Sequence, residues 1–352
     1  MNRSANSVQL TNVDSTNVDE LARFFVGQTS KDNSAVPRIA NRLSWLAANP
    51  SLTPEIPFGW AGRDEGGAIV GAMLCVPFRF LVRGRIETFV MNSAFYADDL
   101  HRGLGAMLFL AFRALNTRHV IYSTTSNKEA ARVWEAARAH MLPKSDFELL
   151  GVLRPGPVLE ELAFRRFGKR AALVGRALGV AANIYTPCKL SDTRDRVTIG
   201  PTVPEEAACV TDVVDHEFCL LRDASFLRWR YFEEPETGTT VHKFLTETDE
   251  GFIGVSIQSR GYRGQLRVLN ISDIWGRVSP QALPLALSAI ATKYRGEVDA
   301  IIIRCPSDAV EQAATGMGFK KRKFPNAIGW YLDRRRILPE RFVIPAGGTE
   351  MV

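Results

Sequence analysis

Apolar and polar positions along the chain predict a strand followed directly by a helix close to residue 100. The run from Arg85 to Tyr96, RIETFVMNSAFY, is rich in β-branched and aromatic residues and therefore predicts an extended strand. Downstream, apolar residues recur at the spacing of one helix face, at Leu104, Met107, Leu108, Ala111 and Leu115. The segment Arg102-Gly-Leu-Gly105 lies where the strand ends and the helix begins.

This junction has the features of an anion-binding site. The first amides of a helix have no acceptor within the helix, and the helix dipole adds positive potential there. Gly103 and Gly105 lack a Cβ atom, so a ligand can approach the backbone closely, and Arg102 adds a positive charge. Together these features predict a cradle for a pyrophosphate. A glycine-rich turn before a buried helix explains the same residues, because short glycine patterns alone are weak evidence.

The surrounding pattern predicts the order helix, helix, antiparallel strands, cradle, helix, strand and helix, after a short strand near residue 8. The segments that carry this pattern are Asn17–Phe25 and Ile39–Ala47 for the first two helices, Phe58–Pro77 and Phe78–Tyr96 for two hairpins, His119–Thr125 for the later strand and Ser126–Trp134 for the last helix.

The second half of the chain repeats the pattern of the first. Four pairs of short segments occur in the same order, with the members of each pair about 180 residues apart. The pairs are Leu43–Trp45 with Leu227–Trp229, Gly66–Gly71 with Glu250–Gly254, Arg83–Glu87 with Arg263–Arg267, and Ile121–Asn127 with Ile302–Asp308. Two similar domains are therefore predicted, at residues 1–153 and 196–352. A basic helical linker is expected at residues 154–195, and a basic amphipathic helix on a membrane surface is its alternative interpretation.

Composition and charge agree with a two-domain globular protein but do not identify its ligand. The chain has 352 residues, of which 46% are hydrophobic and 23% charged, as is ordinary for globular proteins. Its net charge of +6 suits an anionic ligand, nucleic acid or a membrane surface equally well. The basic runs Lys320–Lys323 and Arg334–Arg336 are not accompanied by a nucleic-acid-binding motif, so no nucleic-acid partner is expected.

Cysteine usage and the first residues bear on metal binding and location. The 5 cysteines are odd in number, scattered and without a C-x-x-C pair, so neither zinc nor a disulfide framework is expected. The chain begins with polar residues that lack the apolar core of a signal peptide, and no run approaches the length of a membrane-spanning helix. The resulting prediction is a cytoplasmic protein without a bound metal or a transmembrane segment.

The cradle and the segment after it resemble the GNAT superfamily of acyl-CoA N-acyltransferases. Arg102 and Gly105 match its signature of Arg or Gln, two residues, Gly, one residue, then Gly or Ala, whereas Met107 departs at the last position. Asn127 matches the start of the superfamily's Asn-x-x-Ala-x-x-x-Tyr segment, but Trp134 replaces the tyrosine that often serves as general acid. An indole N–H cannot act as a phenol does.

The resemblance implies an α+β fold made of two tandem GNAT folds, each a mostly antiparallel twisted sheet flanked by helices. Residues 1–153 would then form the acyl-CoA-binding domain. Residues 196–352 would form a degenerate copy, because Pro280 and Pro284 stand where the open glycine amides of the cradle would fall. Proline has no N–H to offer a phosphate.

The resemblance also implies site residues. The expected cofactor-binding residues are Phe95, Tyr96, Ala97, Arg102, Gly103, Leu104, Gly105, Ala106, Met107 and Asn127. Glu87 is the candidate base and Tyr122 the candidate acid, although a solvent-facing glutamate and a packed tyrosine fit these positions too. Arg228 and Arg230 are candidates for binding an anionic group of the acceptor, with a helix end and two solvated arginines as the alternative.

The predicted function is acyl-CoA-dependent N-acyl transfer, with acetyl-CoA as the simplest co-substrate and direct attack by a primary amine of a small molecule. Two alternatives stay open. One is a non-catalytic acyl-CoA-binding module, which the departures at Met107 and Trp134 favour. The other is an aminoacyl-tRNA-dependent transferase, which also uses two GNAT-like units and a basic surface.

Overall fold

The chain folds into two mixed sheets with helices packed on their faces. A computed structural model describes residues 8–29, 33–168, 188–193, 196–208, 217–235, 238–261, 265–304, 306–323, 328–340 and 342–344. Much of the predicted linker, from residue 169 to 187, lies outside the described residues.

The first sheet contains the longest hairpin of the N-terminal half. Its spatial order is β1 (Gln9–Val13), β2 (Gly59–Arg63), β3 (Ile69–Val82), β4 (Arg85–Ala97), β5 (Val120–Ser126), β15 (Ile328–Leu332) and β6 (His140–Met141), and β9 (Phe218–Leu220) pairs with the end of β3. The pair β4 and β5 is parallel, and the other neighbours are antiparallel.

The second sheet repeats this arrangement. Its order is β8 (Thr198–Pro201), β10 (Thr240–Leu245), β11 (Glu250–Arg260), β12 (Leu266–Arg277), β13 (Ala300–Arg304), β7 (Phe147–Val152) and β14 (Lys320–Lys323). Here too one pair, β12 and β13, is parallel. The repeat predicted from the sequence is therefore present as two sheets of the same strand order.

The two sheets exchange a strand. β7 precedes the second half in the sequence but pairs with β13 and β14 in the second sheet. In return β15, from the C-terminal end, pairs with β5 and β6 in the first sheet. Division at residues 153 and 195 thus follows the order of the sequence and not the membership of these two strands, and the predicted domain boundaries stay a prediction.

Helices cover both faces of the first sheet. They are α1 (Val18–Thr29) and α2 (Val36–Ala47) on one face, and α3 (Leu104–Ala114) and α4 (Lys128–Ala136) on the other. α5 (Pro155–Phe167) leads towards the second half, which contains the short helices α6 (Pro204–Ala207) and α7 (Ala224–Leu227) and the longer α8 (Leu283–Tyr294) and α9 (Asp308–Gly316).

One part of the predicted helix pattern is wrong. Met107 was expected on the buried face of the helix after the cradle, but 40% of its surface is exposed. The side chains of α3 that face the sheet are Leu104, Leu108, Phe109 and Phe112. The centre of this face lies near Leu108 and Phe112, and at 3.6 residues per turn Met107 lies about 100° from Leu108 and about 140° from Phe112 around the helix axis.

Candidate functional site

The first sheet is forked between β4 and β5. These parallel strands pair over three positions, Phe89–Met91 with Val120–Tyr122. Beyond them β4 continues to Ala97 and β5 to Ser126 without pairing to each other, while β3 and β15 hold their outer edges. The edges that face the fork therefore offer backbone donors and acceptors to a ligand.

A β-bulge bends β4 inside the fork. Ala72 pairs with Tyr96 and Leu74 with Ser93, so two residues of β4 lie opposite one residue of β3. One of them, Ala94, has a left-handed φ of 48°. Such bulges re-aim the strand and free backbone groups from the ladder. Phe95, Tyr96 and Ala97, the predicted contacts of a pantetheine arm, follow this bend.

The predicted cradle lies at the open end of the fork. Gly103 is the N-cap of α3, with φ 88° and ψ −13°, a conformation that favours glycine. The Leu104 amide donates to the His101 carbonyl and the Met107 amide to that of Gly103. Between them, the amides of Gly105 and Ala106 donate to no backbone carbonyl of the described chain, so both are available to an anion.

The cradle and β4 are directly in contact. A Cβ atom added at Gly105 would lie 3.6 Å from Ala97 Cβ and 3.7 Å from Phe95 Cζ. The end of β4 and the first turn of α3 thus form one continuous surface. Arg102 is exposed beside it. The predicted phosphate-binding and arm-binding residues are therefore neighbours in space, although their binding roles stay predictions.

The second sheet lacks this cradle. α8 begins Leu283-Pro284, where α3 begins Leu104-Gly105, so a proline occupies the second helical position. In addition, β12 has its own irregularity at Ser272, and the next residue, Asp273, has a carboxylate that receives two hydrogen bonds from the buried Arg222, at 2.8 and 2.9 Å. An internal ion pair thus lies where β4 has its bulge.

Tyr122 lies at the closed end of the fork. It pairs with Met91 in the last register position before the strands separate. The side chain is fully buried, and its hydroxyl has no hydrogen-bond partner among the residues that the structure describes. Burial raises the pKa of this phenol well above its ordinary value, against a smaller opposite effect of Arg230. The hydroxyl is therefore a protonated donor at neutral pH.

The candidate base Glu87 lies away from the fork, and Asn127 caps a helix. Glu87 lies near the opposite end of β4, ten positions or about 33 Å along the strand from Ala97, and its carboxylate forms an ion pair with Arg335. Asn127 is the N-cap of α4, with its Oδ1 accepting a hydrogen bond of 2.8 Å from the Ala130 amide. Because Asn127 directly follows the last residue of β5, this end of α4 lies at the open end of the fork.

Trp134, which replaces the superfamily's usual tyrosine, is part of a core. Its ring packs edge-on against Phe109 at 5.2 Å and Phe112 at 6.1 Å between ring centroids. It is among the largest fully buried side chains. Trp134 therefore packs between α3 and α4 as part of the hydrophobic core.

Arg228 and Arg230 are not brought together. They lie in a π-helical turn, Arg228–Phe232, that directs one outward and the other inward. Arg228 is half exposed and forms an ion pair with Glu205. Arg230 is buried and forms an ion pair of 2.8 Å with Glu234. An acceptor site that uses both guanidinium groups at once is therefore not supported.

The sequence reasoning overlooked Asn92 and the short hydroxyl side chains around the fork. Asn92 follows Met91 on β4, and its buried Oδ1 accepts no hydrogen bond from any described residue. The other polar side chains there are Ser93, Ser123, Thr124 and Ser126, all buried. Polar residues inside an otherwise apolar strand pair were a usable signal, but only the register of β4 and β5 brings them together.

The described part of the chain contains no group of three or more His, Cys, Asp or Glu side chains that is suited to a metal ion. Within the same residues, none of the helices has the length and hydrophobicity needed to cross a membrane.

No protein-family model and no curated protein matches the sequence. Solved structures do match. The chain superimposes on a probable N-acyltransferase from Enterococcus faecalis V583 with a TM-score of 0.58 and 10% identity, covering 93% of this chain and 73% of the other. A GCN5-related N-acetyltransferase from Anabaena variabilis gives a TM-score of 0.54 with 10% identity, covering 92% and 72%.

N-myristoyltransferase from Saccharomyces cerevisiae, solved with bound myristoyl-CoA, gives a TM-score of 0.52 with 9% identity, covering 93% of this chain and 79% of the other. Similarity at this level of identity concerns the fold. The α+β class and the tandem arrangement predicted from the sequence are confirmed. This chain consists of two tandem GNAT folds, of which the first begins its helix after the forked strand with Leu104-Gly105 and the second begins the corresponding helix with Leu283-Pro284.

Proposed function

We propose that the first GNAT fold binds an acyl-CoA in the fork between β4 and β5 and transfers its acyl group to a primary amine of a small molecule. One observation carries the proposal: a forked and bulged parallel strand pair has two free helix amides, those of Gly105 and Ala106, at its open end. The fold neighbours, which include an N-myristoyltransferase solved with myristoyl-CoA, support the same ligand class.

The residues of the fork suit the parts of such a ligand. The free amides of α3 and the exposed Arg102 suit a pyrophosphate. The edge of β4 after the bulge suits the amide groups of a pantetheine arm, which would add hydrogen bonds to an open sheet edge. Acyl-CoA, when bound, supplies a thioester whose carbonyl carbon an amine attacks, with loss of the thiolate and of a proton from nitrogen.

Tyr122 is our candidate for assisting that reaction. Its buried, protonated hydroxyl has no partner within the described part of the chain, so we expect it to donate to an oxygen or sulfur that gains negative charge. Glu87 is separated from the fork by four strand positions, about 13 Å from the level of Met91. We therefore assign Tyr122 and not Glu87 to the acyl group.

A second candidate function is binding of acyl-CoA without catalysis. The position of Trp134 in the core of α3 and α4 favours it, because this side chain offers no acid. Release of free thiol from acetyl-CoA in the presence of primary amines separates the two functions. Tight cofactor binding with no amine-dependent thiol release would select the binding module.

Calorimetric titration with acetyl-CoA tests cofactor binding in the fork. Gly105→Pro removes one free N–H and copies the Leu-Pro start of α8, so the helix is expected to form. Gly105→Ala is the matched control, because its Cβ would make only ordinary contacts. We expect Gly105→Pro to bind acetyl-CoA about tenfold more weakly than the wild type and Gly105→Ala to bind it with wild-type affinity. Equal affinity in both variants, or no binding by the wild type, would contradict the proposal.

A further inference from the structure

Two buried polar atoms flank the closed end of the fork, and neither has a hydrogen-bond partner in the ranges that the structure describes. They are the Oδ1 atom of Asn92 and the hydroxyl of Tyr122. Tyr122 pairs with Met91 across the two strands, and Asn92 is the next residue of β4. An acceptor and a donor therefore meet at the point where the strands separate.

The two side chains lie on opposite faces of the sheet. Tyr122 belongs to the core on the side of α1 and α2, together with Met91. Val90 belongs to the core on the side of α3 and α4, and Asn92, two positions later, shares that face. A ligand that passed through the fork would thus meet Tyr122 on one side and Asn92 on the other.

The fold itself does not require polar residues at these positions. Tyr122 corresponds to Ile302 of the second sheet, because each lies five residues before the N-cap of the next helix, Asn127 of α4 or Ser307 of α9. Met91 pairs with Tyr122 as Asn270 pairs with Ile302, so Asn92, the residue after Met91, corresponds to Ile271. The second sheet therefore contains two buried isoleucines where the first contains Asn92 and Tyr122.

An unpaired buried amide oxygen lowers the stability of a folded protein. Asn270 of the second sheet has such an oxygen too, but it lies inside the paired stretch of β12 and β13, which continues to Ile271 and Ile303. Asn92 lies one residue beyond the last pair of β4 and β5, where the strands separate, and this position points to a ligand that supplies the missing donor. A thioester group contains no hydrogen-bond donor. The pantetheine arm contains two amide N–H groups, of which the cysteamine one is farther from the pyrophosphate.

We propose that Asn92 is a cofactor-binding residue whose Oδ1 accepts a hydrogen bond from the cysteamine amide N–H of the acyl-CoA. This inference rests on the proposed function of the fork. Asn92 lies five positions before Ala97, about 16 Å along β4 from the cradle, which places it beside the thiol end of an extended arm. Thioesters that lack this amide would then be poor substrates, so Asn92 sets the specificity for the coenzyme A type of carrier.

The test compares two ligands by calorimetry: acetyl-CoA and an analogue in which an ester oxygen replaces the cysteamine N–H. Wild type is expected to bind acetyl-CoA about tenfold more tightly than the analogue, as for one neutral hydrogen bond. Asn92→Leu is expected to bind the two equally, and Asn92→Asp, which keeps an acceptor oxygen, to retain a preference for acetyl-CoA.

Asn270→Leu is the matched control. Asn270 is a buried asparagine of the second sheet whose Oδ1 also has no partner, so the same substitution is made away from the fork. It is expected to keep the tenfold preference. Without ligand, Asn92→Leu is expected to raise the melting temperature, because it removes an unpaired buried oxygen. A structural role for Asn92 would lower it.

Each outcome bears on a different claim. If wild type binds neither ligand, the proposed function of the fork fails. If wild type binds acetyl-CoA but Asn92→Leu still prefers it over the analogue, Asn92 does not contact the cysteamine amide. The same conclusion follows if Asn92→Asp no longer prefers acetyl-CoA over the analogue. It also follows if Asn92→Leu, in a steady-state assay, changes only the KM for the amine.

Discussion

Trp45 and Trp229 stack on each other, with ring centroids 4.9 Å apart and planes 12° from parallel. Each indole donates to the backbone carbonyl of the other residue, Trp45 Nε1 to Trp229 O at 2.6 Å and Trp229 Nε1 to Trp45 O at 2.7 Å. The two residues belong to one of the segment pairs that reveal the repeat. Equivalent residues of the two halves thus meet as partners, as expected near an axis of internal two-fold symmetry.

The first prediction concerns this tryptophan pair. Trp45→Phe and Trp229→Phe each leave a buried carbonyl without its donor, and each is expected to lower the free energy of unfolding by about 1–3 kcal/mol. The double variant is expected to differ from the sum of the two, because the residues contact each other. Urea unfolding measures these values. Trp60→Phe, at a partly exposed position, is the control, and equal small effects at all three positions would be the contradictory result.

The second prediction separates two glycines. Gly103 has a φ of 88°, and an added Cβ would meet no atom within 4 Å, so only backbone strain opposes Gly103→Ala. We expect a loss of about 1–2 kcal/mol in stability. Gly27 lies exposed in α1 with open space around it, so Gly27→Ala is expected to gain about 0.5–1 kcal/mol. Thermal unfolding of both variants measures the difference, and a stabilising Gly103→Ala would contradict the assigned conformation.

The third prediction follows from the exchanged strands. A fragment of residues 1–195 lacks β15, the strand that pairs with β5 and so holds one edge of the fork. We expect this fragment alone to bind no acetyl-CoA, and coexpression with residues 196–352 to restore both a folded complex and binding. Circular dichroism and calorimetry measure folding and affinity. A fragment that folds and binds alone would mean that β5 does not need its exchanged neighbour.

The fourth prediction concerns pH. His242 is buried, its Nε2 lies 2.7 Å from the Tyr294 hydroxyl, and burial, with a smaller effect of Lys293, lowers its pKa from 6.5 to about 4. In the unfolded chain this histidine takes up a proton near pH 6.5, but in the folded protein only near pH 4. Stability present above pH 6.5 is therefore lost as the pH falls towards 4.

Melting temperatures of wild type and His242→Gln between pH 7.5 and 4 measure this effect. At neutral pH we expect His242→Gln to melt at a lower temperature than the wild type, because the hydrogen bond between His242 and the Tyr294 hydroxyl is altered. Between pH 7.5 and 4 we expect the melting temperature of the variant to fall less than that of the wild type. His140→Gln, at an exposed position, is the control and should follow the wild-type curve. Parallel curves for all three proteins would show that His242 does not contribute to the pH dependence.

The sequence predicted the elements whose signals are local. The strand before the cradle, the helix after it and the glycine at the left-handed position follow from residue type and spacing within about twenty residues. The repeat was recognisable because both halves keep similar short segments in one order. The loss of the cradle from the second half was also visible, since a proline at the start of a helix has the same consequence in any context.

Other features depended on partners far away in the chain. The sequence around Glu87 does not distinguish a base in the fork from a structural residue. Only its ion pair with Arg335, at the far end of β4, shows that it lies away from the fork. Arg228 and Arg230 are separated by a π-helical turn that spacing alone does not indicate.

The sequence by itself thus determined the two similar α+β units and the glycine-rich start of the helix that only the first of them has. Only the tertiary structure decided that the units exchange β7 and β15, that β4 and β5 separate after Met91 and Tyr122, and that the polar atoms of Asn92 and Tyr122 are buried at this point. The reason is physical: helix caps and amphipathic faces arise from neighbours in sequence, whereas strand pairing and buried unpaired atoms depend on which distant segments share a sheet.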